Sequence, residues 1–242
     1  GLNAYNQHTG LFQHLSTTNG KKVVSITEFS PEKLLISCFN DGLYIFDKRT
    51  AKLTSFLLID NHTTRKEFTQ GDLINLYATS DEIYIFGSNI YVYNRHTQHT
   101  KQLPIPSHLD RESFIHAQPI HADNQYIYIL SYKSLLQIEK TSKNIAQLFG
   151  VSDDEFLSSA CIDNQGKFWI GSNYALYHYN AASQQAEKIQ NVLFHNIQSL
   201  TSDDKNRIWI GANNQLLVYL RNEDRIVMLD KTDGIKPNGY IF

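Results

Sequence analysis

The residues able to do chemistry are scattered along the chain. Ten histidines are present. His96 and His99 form H-x-x-H, and His116 and His121 lie close together in sequence. Paired imidazoles bind zinc when a helix face or neighbouring strands align them and a third ligand joins. His96 and His99 instead fall on a predicted hairpin turn, so both pairs are expected to be structural or solvated. Asp153-Asp154-Glu155 and Asp203-Asp204 read as turn acids, not as a general acid and base. There is no G-x-S-x-G elbow. Glycine totals only 12, and no Gly-rich phosphate loop occurs. Asn61-His62-Thr63 has the glycosylation spacing, which matters only in a eukaryotic secretory pathway. The expectation is therefore no catalytic residue, no metal and no cofactor. Cys38 and Cys161 sit in the apolar stretches "LISCF" and "SACID" and read as buried free thiols.

Composition excludes further classes. Lysine plus arginine is 22 and aspartate plus glutamate is 24, where a general nucleic-acid binder needs a basic excess. No run approaches the roughly 18 apolar residues of a membrane span, and no signal peptide is seen. No nucleic acid and no membrane contact by this fragment are expected. The 242 residues are 41% hydrophobic, enough for a sizeable core, and the 14 tyrosines and 13 phenylalanines favour strands.

The elements that must position any site are announced by a repeat. "GKFWIGSNYALYHYN" begins at Gly166, and "NRIWIGANNQLLVYLRN" begins at Asn206. Trp169 and Trp209 are 40 residues apart, and Tyr128, Tyr84 and Leu35 occupy the same place at spacings of 41, 44 and 49. Such a period signals a repeat architecture. Each unit opens with an apolar-rich strand, such as Val23 to Phe29 or Ile197 to Asp203. A polar turn and a second strand carrying the anchor follow. The third strand ends in Tyr or Phe and then Asn or Asp: Tyr5-Asn6, Phe46-Asp47, Tyr93-Asn94, Tyr179-Asn180. Thr9, Thr50, Thr97 or Ser183 comes three residues later, a spacing that lets the Asn or Asp side chain cap a hairpin turn. A fourth strand, such as Lys52 to Leu58, closes the unit.

Four short strands every 40-odd residues predict an all-β fold, a β-propeller of four-stranded antiparallel blades. In "RIWIG", Ile208 and Ile210 point one way and Trp209 the other, so both faces need covering, as stacked blades provide. The expected blades are 1–22 (half), 23–73, 74–117, 118–156, 157–195 and 196–237, with 238–242 starting another. Asn61–Asp72 and Pro104–Phe114 read as polar insertions in blade connections. Partial blades at both ends suggest one partial domain of a larger propeller, with edges exposed or paired to another molecule.

The stretches "DNQGKFWIGSNYALYHYN" and "DDKNRIWIGANNQLLVYL" resemble the repeat D-x-x-G-x-(L/I)-W-(I/V)-G-T-x-x-G-L-x-x-Y-(D/N). That repeat belongs to the extracellular propellers of two-component regulators, especially hybrid sensor kinases of gut Bacteroidetes. "GLNAYNQHTGLFQHL" resembles the end of the same repeat, and "DGIKPNGYIF" resembles its D-G-L-x-x-N blade linker. The pattern degenerates in the middle, where Tyr128, Tyr84 and Leu35 replace tryptophan and Ser172 or Ala212 follows the W-I-G position. The resemblance implies a non-catalytic periplasmic sensor module that binds glycan-derived ligands. It would signal to a histidine kinase outside these residues and self-associate as a homodimer in the full protein. Trp169, Gly171, Trp209 and Gly211 would then be structural. A propeller enzyme, such as a lyase or glycan-cleaving enzyme, and a protein–protein scaffold are the alternatives. Only the enzyme needs titratable groups converging near the axis.

Blade topology places the loops between second and third strands on one face of the disc, together with the blade linkers. Asn40, Asn89, Tyr132, Tyr174 and Asn214 lie on those loops and are the candidate ligand-binding residues. Their amide and aromatic groups suit the hydroxyls and ring faces of an oligosaccharide or other small ligand, and loops on a rigid scaffold commonly carry function.

Overall fold

The structure is a computed structural model that describes residues 1–60, 64–66, 74–109, 114, 116–189, 194–213 and 215–234. Apart from single 3-10 turns, its regular structure is all β. The chain divides into two compact units, residues 1–118 and 119–242.

In the first unit, β1 (Leu2–Asn6) and β2 (Leu11–Leu15) form a hairpin. Next come β3 (Val23–Ser30), β4 (Lys33–Cys38), β5 (Gly42–Asp47) and β6 (Lys52–Phe56), an antiparallel sheet in chain order. The third sheet departs from the expected four strands. Its core is β9 (Asn75–Ala78), β10 (Glu82–Phe86), β11 (Ile90–Asn94) and β12 (Thr100–Leu103). Two further strands, β7 (Leu58–Asp60) and β8 (Thr64–Lys66), extend it to six. β7 runs parallel to β12, which otherwise offers an open edge. Part of the stretch read as a polar insertion is therefore strand.

The second unit holds three four-stranded sheets. The first is β13 (Gln118–Ala122), β14 (Tyr126–Leu130), β15 (Ser134–Glu139) and β16 (Ile145–Gly150). The second is β17 (Leu157–Ile162), β18 (Phe168–Ser172), β19 (Leu176–Asn180) and β20 (Gln185–Ile189). The third is β21 (Ile197–Ser202), β22 (Ile208–Ala212), β23 (Gln215–Leu220) and β24 (Arg225–Leu229). All three run in chain order.

Alternation along the second strands explains the stacking. Phe168 and Ile170 pack with Tyr128, Leu130 and Leu135 of the preceding sheet. Trp169, on the opposite face, packs with Ile208, Ile210, Leu217 and Tyr219 of the following one. In the first unit Leu35 packs with Ile83, Ile85 and Tyr91 across the sheet interface. Leu35, Tyr84, Tyr128 and Trp169 are buried as expected. Trp209 is only half-buried, because no strand follows β24 among the described residues. The Arg207 guanidinium covers one face of its ring at 5.3 Å.

Consecutive first strands are also tied by polar side chains. β3, β17 and β21 each carry a bulge, after Val23, Leu157 and Ile197, next to a serine. Ser25 Oγ accepts from Leu76 N at 3.1 Å, and Ser159 Oγ accepts from Leu200 N at 2.9 Å. Asn75, at the matching register, donates to the Ala117 carbonyl at 3.0 Å. Gly171 marks a close approach between sheets: a Cβ there would lie 2.3 Å from Ile197 Cγ2. Cys38 ends β4, Cys161 lies in β17, and both are free thiols. Burial raises the Cys161 thiol to about 12.

The hairpin caps form as the spacing predicts. Asn6 Oδ1 accepts from His8 and Thr9 amides, Asp47 Oδ1 from Arg49 and Thr50, Asn94 Oδ1 from His96 and Thr97, and Asn180 Oδ1 from Ala182 and Ser183. β23 ends on Leu220, which has no capping side chain, and the chain instead makes a 3-10 turn over Arg221–Glu223.

Candidate functional site

The turn acids have a second task. Asp163 Oδ1 accepts from the amides of Gln165 and Lys167, which closes the turn, while Oδ2 accepts from the Trp169 indole at 3.0 Å. Asp203 repeats this with Lys205, Arg207 and the Trp209 indole at 2.8 Å. Asp123 repeats it with Gln125, Tyr126 and the Tyr128 hydroxyl at 2.8 Å. One carboxylate thus fixes both the turn and the anchor rotamer. Burial opposes ionisation of Asp203, but the Trp209 indole and the Arg207 amide and guanidinium outweigh it and pull the carboxyl down to about 2. The spacing that could have exposed this role is aspartate six residues before each tryptophan and five before Tyr128.

Arg221 adds an inter-sheet contact. Its guanidinium donates to Asp163 Oδ2 at 2.6 Å and lies 4.9 Å over the Trp169 ring. His178 also stacks on that tryptophan, centroids 4.4 Å apart. Its Nε2 is buried and has no partner among the described residues. Burial, then Arg221 and Lys167, push the His178 ring below its ordinary value. Arg95 makes the corresponding reach in the first unit, to the carbonyls of Phe29 and Glu28.

The sequence-derived candidate residues fall in both units. Asn40 is exposed in the β4–β5 loop with a left-handed φ of 56°, a conformation asparagine tolerates. Beside it Asp41 accepts from Lys21 Nζ at 2.5 Å and from the Tyr44 hydroxyl at 2.8 Å. Asn89 is half-buried, and its side-chain oxygen is committed to Gln102 Nε2 at 2.9 Å. Asn214 lies outside the described residues. Of the histidine pairs, His96 sits in the β11–β12 turn with Nε2 2.9 Å from Asp81. Among the described residues no three His, Cys, Asp or Glu side chains gather as a metal site.

Tyr132 and Tyr174 sit at the same end of the second unit, and the linker between their sheets joins them. Tyr132 is 38% exposed and Tyr174 is 47% exposed. Phe156, at the end of that linker, is 38% exposed and stacks on Tyr132 with centroids 5.4 Å apart. Phe156 N donates to Asn173 Oδ1 at 2.9 Å and Asn173 N donates back to the Phe156 carbonyl at 3.2 Å, one residue before Tyr174. The Leu157 amide donates to the Tyr132 carbonyl at 2.8 Å. Asn173 continues the chain of contacts, accepting from Asn196 N at 3.0 Å.

Two charged groups stiffen this end. Lys133 spends its ammonium on the carbonyls of Ser152, Asp153 and Glu155, at 3.2, 2.7 and 2.6 Å. Glu155 is buried, contrary to its reading as a turn acid. Its carboxylate accepts from the Ser172 hydroxyl, and from the Tyr177 hydroxyl at 2.9 Å to each oxygen. Burial, then Glu155, push the Tyr177 hydroxyl above its ordinary value. Ser172 Oγ in turn accepts from the Tyr174 and Ala175 amides. The linker and the Tyr174 loop are therefore held by one buried carboxylate. Phe156 and Glu155 were not legible as site residues, because their roles depend on strands distant in sequence.

The sheets and loops so described match known architectures. Over 85% of this chain and 70% of the other, the Cps50 (Swd1) beta-propeller domain of Myceliophteria thermophila superposes with a TM-score of 0.54 at 11% identity. The chain has the β-propeller fold. The propeller is also similar to the extracellular domain described as that of the hybrid two component system BT4673 from B. thetaiotaomicron. The TM-score is 0.69 at 21% identity, over 90% of this chain and 30% of that one. Virginiamycin B lyase from Staphylococcus aureus matches with a TM-score of 0.64 at 14% identity, over 88% of this chain and 71% of the lyase. The propeller spans less than a third of the length of the two-component domain it matches. No protein-family model and no curated protein sequence matches the chain.

Proposed function

We propose that this propeller is the ligand-binding part of an extracytoplasmic, periplasmic sensor of a hybrid two-component system. It binds a glycan-derived ligand without transforming it. The observation that carries this reading is the exposed aromatic end of the second unit, where Tyr132, Phe156 and Tyr174 lie on loops held rigid by Lys133 and Glu155. Rigid loops with exposed rings and few mobile charges suit recognition more than proton transfer. The architecture shared with an extracellular two-component domain supports the sensory setting. In the first unit, Asn40, which is exposed, and Asn89 are proposed as separate contacts, and Asn214 as a further one. Binding would bias the arrangement of two subunits, and hence a kinase outside this chain, through a coupling free energy.

The test combines calorimetry and chromatography on one panel of oligosaccharides. Saturable binding with the sugar recovered intact supports the proposal. Product formation that disappears on mutating an Asp, Glu or His would replace it with an enzymatic reading.

A further inference from the structure

Resting on that reading, we infer that Asn196 and Asn213 form an amide subsite one blade beyond the aromatic residues, and that the site thereby selects oligosaccharide chains over disaccharides. The three sheets of the second unit repeat one loop position: Tyr132, Asn173 and Asn213 each stand four residues after the anchors Tyr128, Trp169 and Trp209. The linkers repeat another, since Phe156 and Asn196 each immediately precede a first strand, β17 and β21. Each linker residue meets the loop of the sheet it enters. Phe156 and Asn173 exchange hydrogen bonds at 2.9 and 3.2 Å, and Asn196 Nδ2 donates to Asn213 Oδ1 at 3.4 Å. Each also reaches the loop of the sheet before. Phe156 stacks on Tyr132, and Asn196 N donates to the Asn173 carbonyl at 3.0 Å. One line of contacts therefore runs from Tyr132 to Asn213, aromatic in its first half and amide in its second.

The amide half faces solvent. Asn196 and Asn213 are both exposed and both hold a left-handed φ, 49° and 48°, which asparagine tolerates. Among the described residues, their mutual bond is the only one either side chain makes. A primary amide carries two N–H donors and a carbonyl acceptor, so the pair presents a free carbonyl beside free N–H groups. A sugar hydroxyl both donates and accepts, and adjacent hydroxyls can satisfy both groups at once. This half offers no ring face: the place of Phe156 is taken by Asn196 and that of Tyr132 by Asn213. The two halves suit different parts of one ligand, ring faces at one end and hydroxyls at the other. Neighbouring strands lie no closer than about 4.7 Å and packed sheet faces about 10 Å apart. Two such steps separate Tyr132 from Asn213, more than one pyranose spans. A disaccharide seated on the aromatic half leaves the amides empty, and a longer chain fills both.

The test uses the whole chain and cello-, xylo-, manno-, galacto- and galacturono-oligosaccharides, each as disaccharide and tetrasaccharide. In the series that binds, the tetrasaccharide is expected to bind about tenfold more tightly than the disaccharide, or more. Asn196→Gly with Asn213→Gly removes both amides and keeps the left-handed backbone. It should weaken the tetrasaccharide about tenfold and leave any disaccharide binding within about threefold, whereas Phe156→Ala weakens both. Thermal melts show whether the double variant folds. If it does not, the side-chain amide signals of Asn196 and Asn213 in the unmutated chain, assigned by triple-resonance NMR, decide: they should shift saturably with the tetrasaccharide. Undiminished tetrasaccharide affinity in the folded double variant overturns the amide subsite, as do amide signals that stay in place. Binding that Phe156→Ala still weakens then leaves the sensor reading standing. Equal affinity for the two lengths overturns the chain selectivity. If no saccharide binds, the underlying reading fails first and the subsite with it.

Discussion

Arg221 Nη1 donates to Asp163 Oδ2 across 2.6 Å, joining the turn after β23 to the turn before β18 of the preceding sheet. The aspartate side chain is fully buried and the arginine nearly so. That carboxylate already accepts from the Trp169 indole and two amides, so the guanidinium completes a network and does not rescue a lone charge. Removing one partner of a buried charged pair is costly because the other stays buried. Arg221→Ala is expected to destabilise the chain by about 2–3 kcal/mol. Asp163→Ala should cost more, since it also frees the turn amides and the indole. Denaturant midpoints would measure both, and a double-mutant cycle should show coupling between them.

The anchors should not be equivalent. Trp169 is buried between two sheets, and Trp209 is covered on one face only by Arg207 among the described residues. Trp169→Ala is expected to cost about 3–5 kcal/mol and Trp209→Ala clearly less. Gly171→Ala, which forces a methyl into Ile197, should cost about 1–3 kcal/mol although it adds a single carbon. Equal losses at the two tryptophans by urea titration would contradict the asymmetry of their packing.

His178 provides a pH dependence with a defined sign. Its ring faces Trp169, with Arg221, Lys167, Asp163 and Glu187 as the nearby charges. Burial, then Arg221, lower its folded pKa below the ordinary value, so the fold holds the neutral ring. Its contribution is full above the unfolded pKa of about 6.5 and is lost as pH falls through the lower folded value. The thermal midpoint should therefore drop from pH 7 toward pH 5. In His178→Phe, which keeps a stacked ring and cannot take a proton, that drop should be smaller. The carboxylates of Asp163 and Asp203 act in a separate window, below about pH 4, because their folded values are depressed. Identical profiles for wild type and His178→Phe between pH 7 and 5 would refute the assignment.

Much of the frame was legible because its rules are local. The Asn or Asp that ends a third strand caps amides two and three residues on, so Asn6, Asp47, Asn94 and Asn180 could be read from spacing alone. The strand faces around Trp169 and Trp209 follow from period-two alternation. The contacts that organise the aromatic end are not local. Glu155 finds Ser172 and Tyr177 from the next sheet, 17 and 22 residues on. Its neighbours Asp153 and Asp154 are exposed, and no sequence signal separates the three acids. Arg221 reaches 58 residues back to Asp163, with no motif to mark the pairing. The strand β8 was hidden by the polar stretch around it.

Glu155 should matter out of proportion to its apparent place in a turn. Glu155→Ala leaves the Tyr177 hydroxyl without its acceptor and the Ser172 hydroxyl with only the Ala175 carbonyl at 3.2 Å, and is expected to cost about 1–3 kcal/mol. Glu155→Gln keeps one acceptor oxygen and should cost less. Because Ser172 also accepts from the Tyr174 amide, the alanine variant should loosen the Tyr174 loop. Hydrogen exchange at Tyr174 and Phe156 should accelerate in Glu155→Ala while exchange within β3 and β4 stays unchanged. Unchanged exchange at all these amides would remove Glu155 from its positioning role.

The most direct measurement of the ligand-binding account is fluorine NMR on chain labelled with 3-fluorotyrosine, with the signals of Tyr132 and Tyr174 assigned by Tyr132→Phe and Tyr174→Phe. Titration with the oligosaccharide of the panel that binds best should shift those two resonances saturably. Buried tyrosines such as Tyr84 and Tyr179 should stay in place. Shifts confined to other tyrosines, such as Tyr5 or Tyr44, would contradict the account, as would the absence of any saturable shift across the saccharide panel.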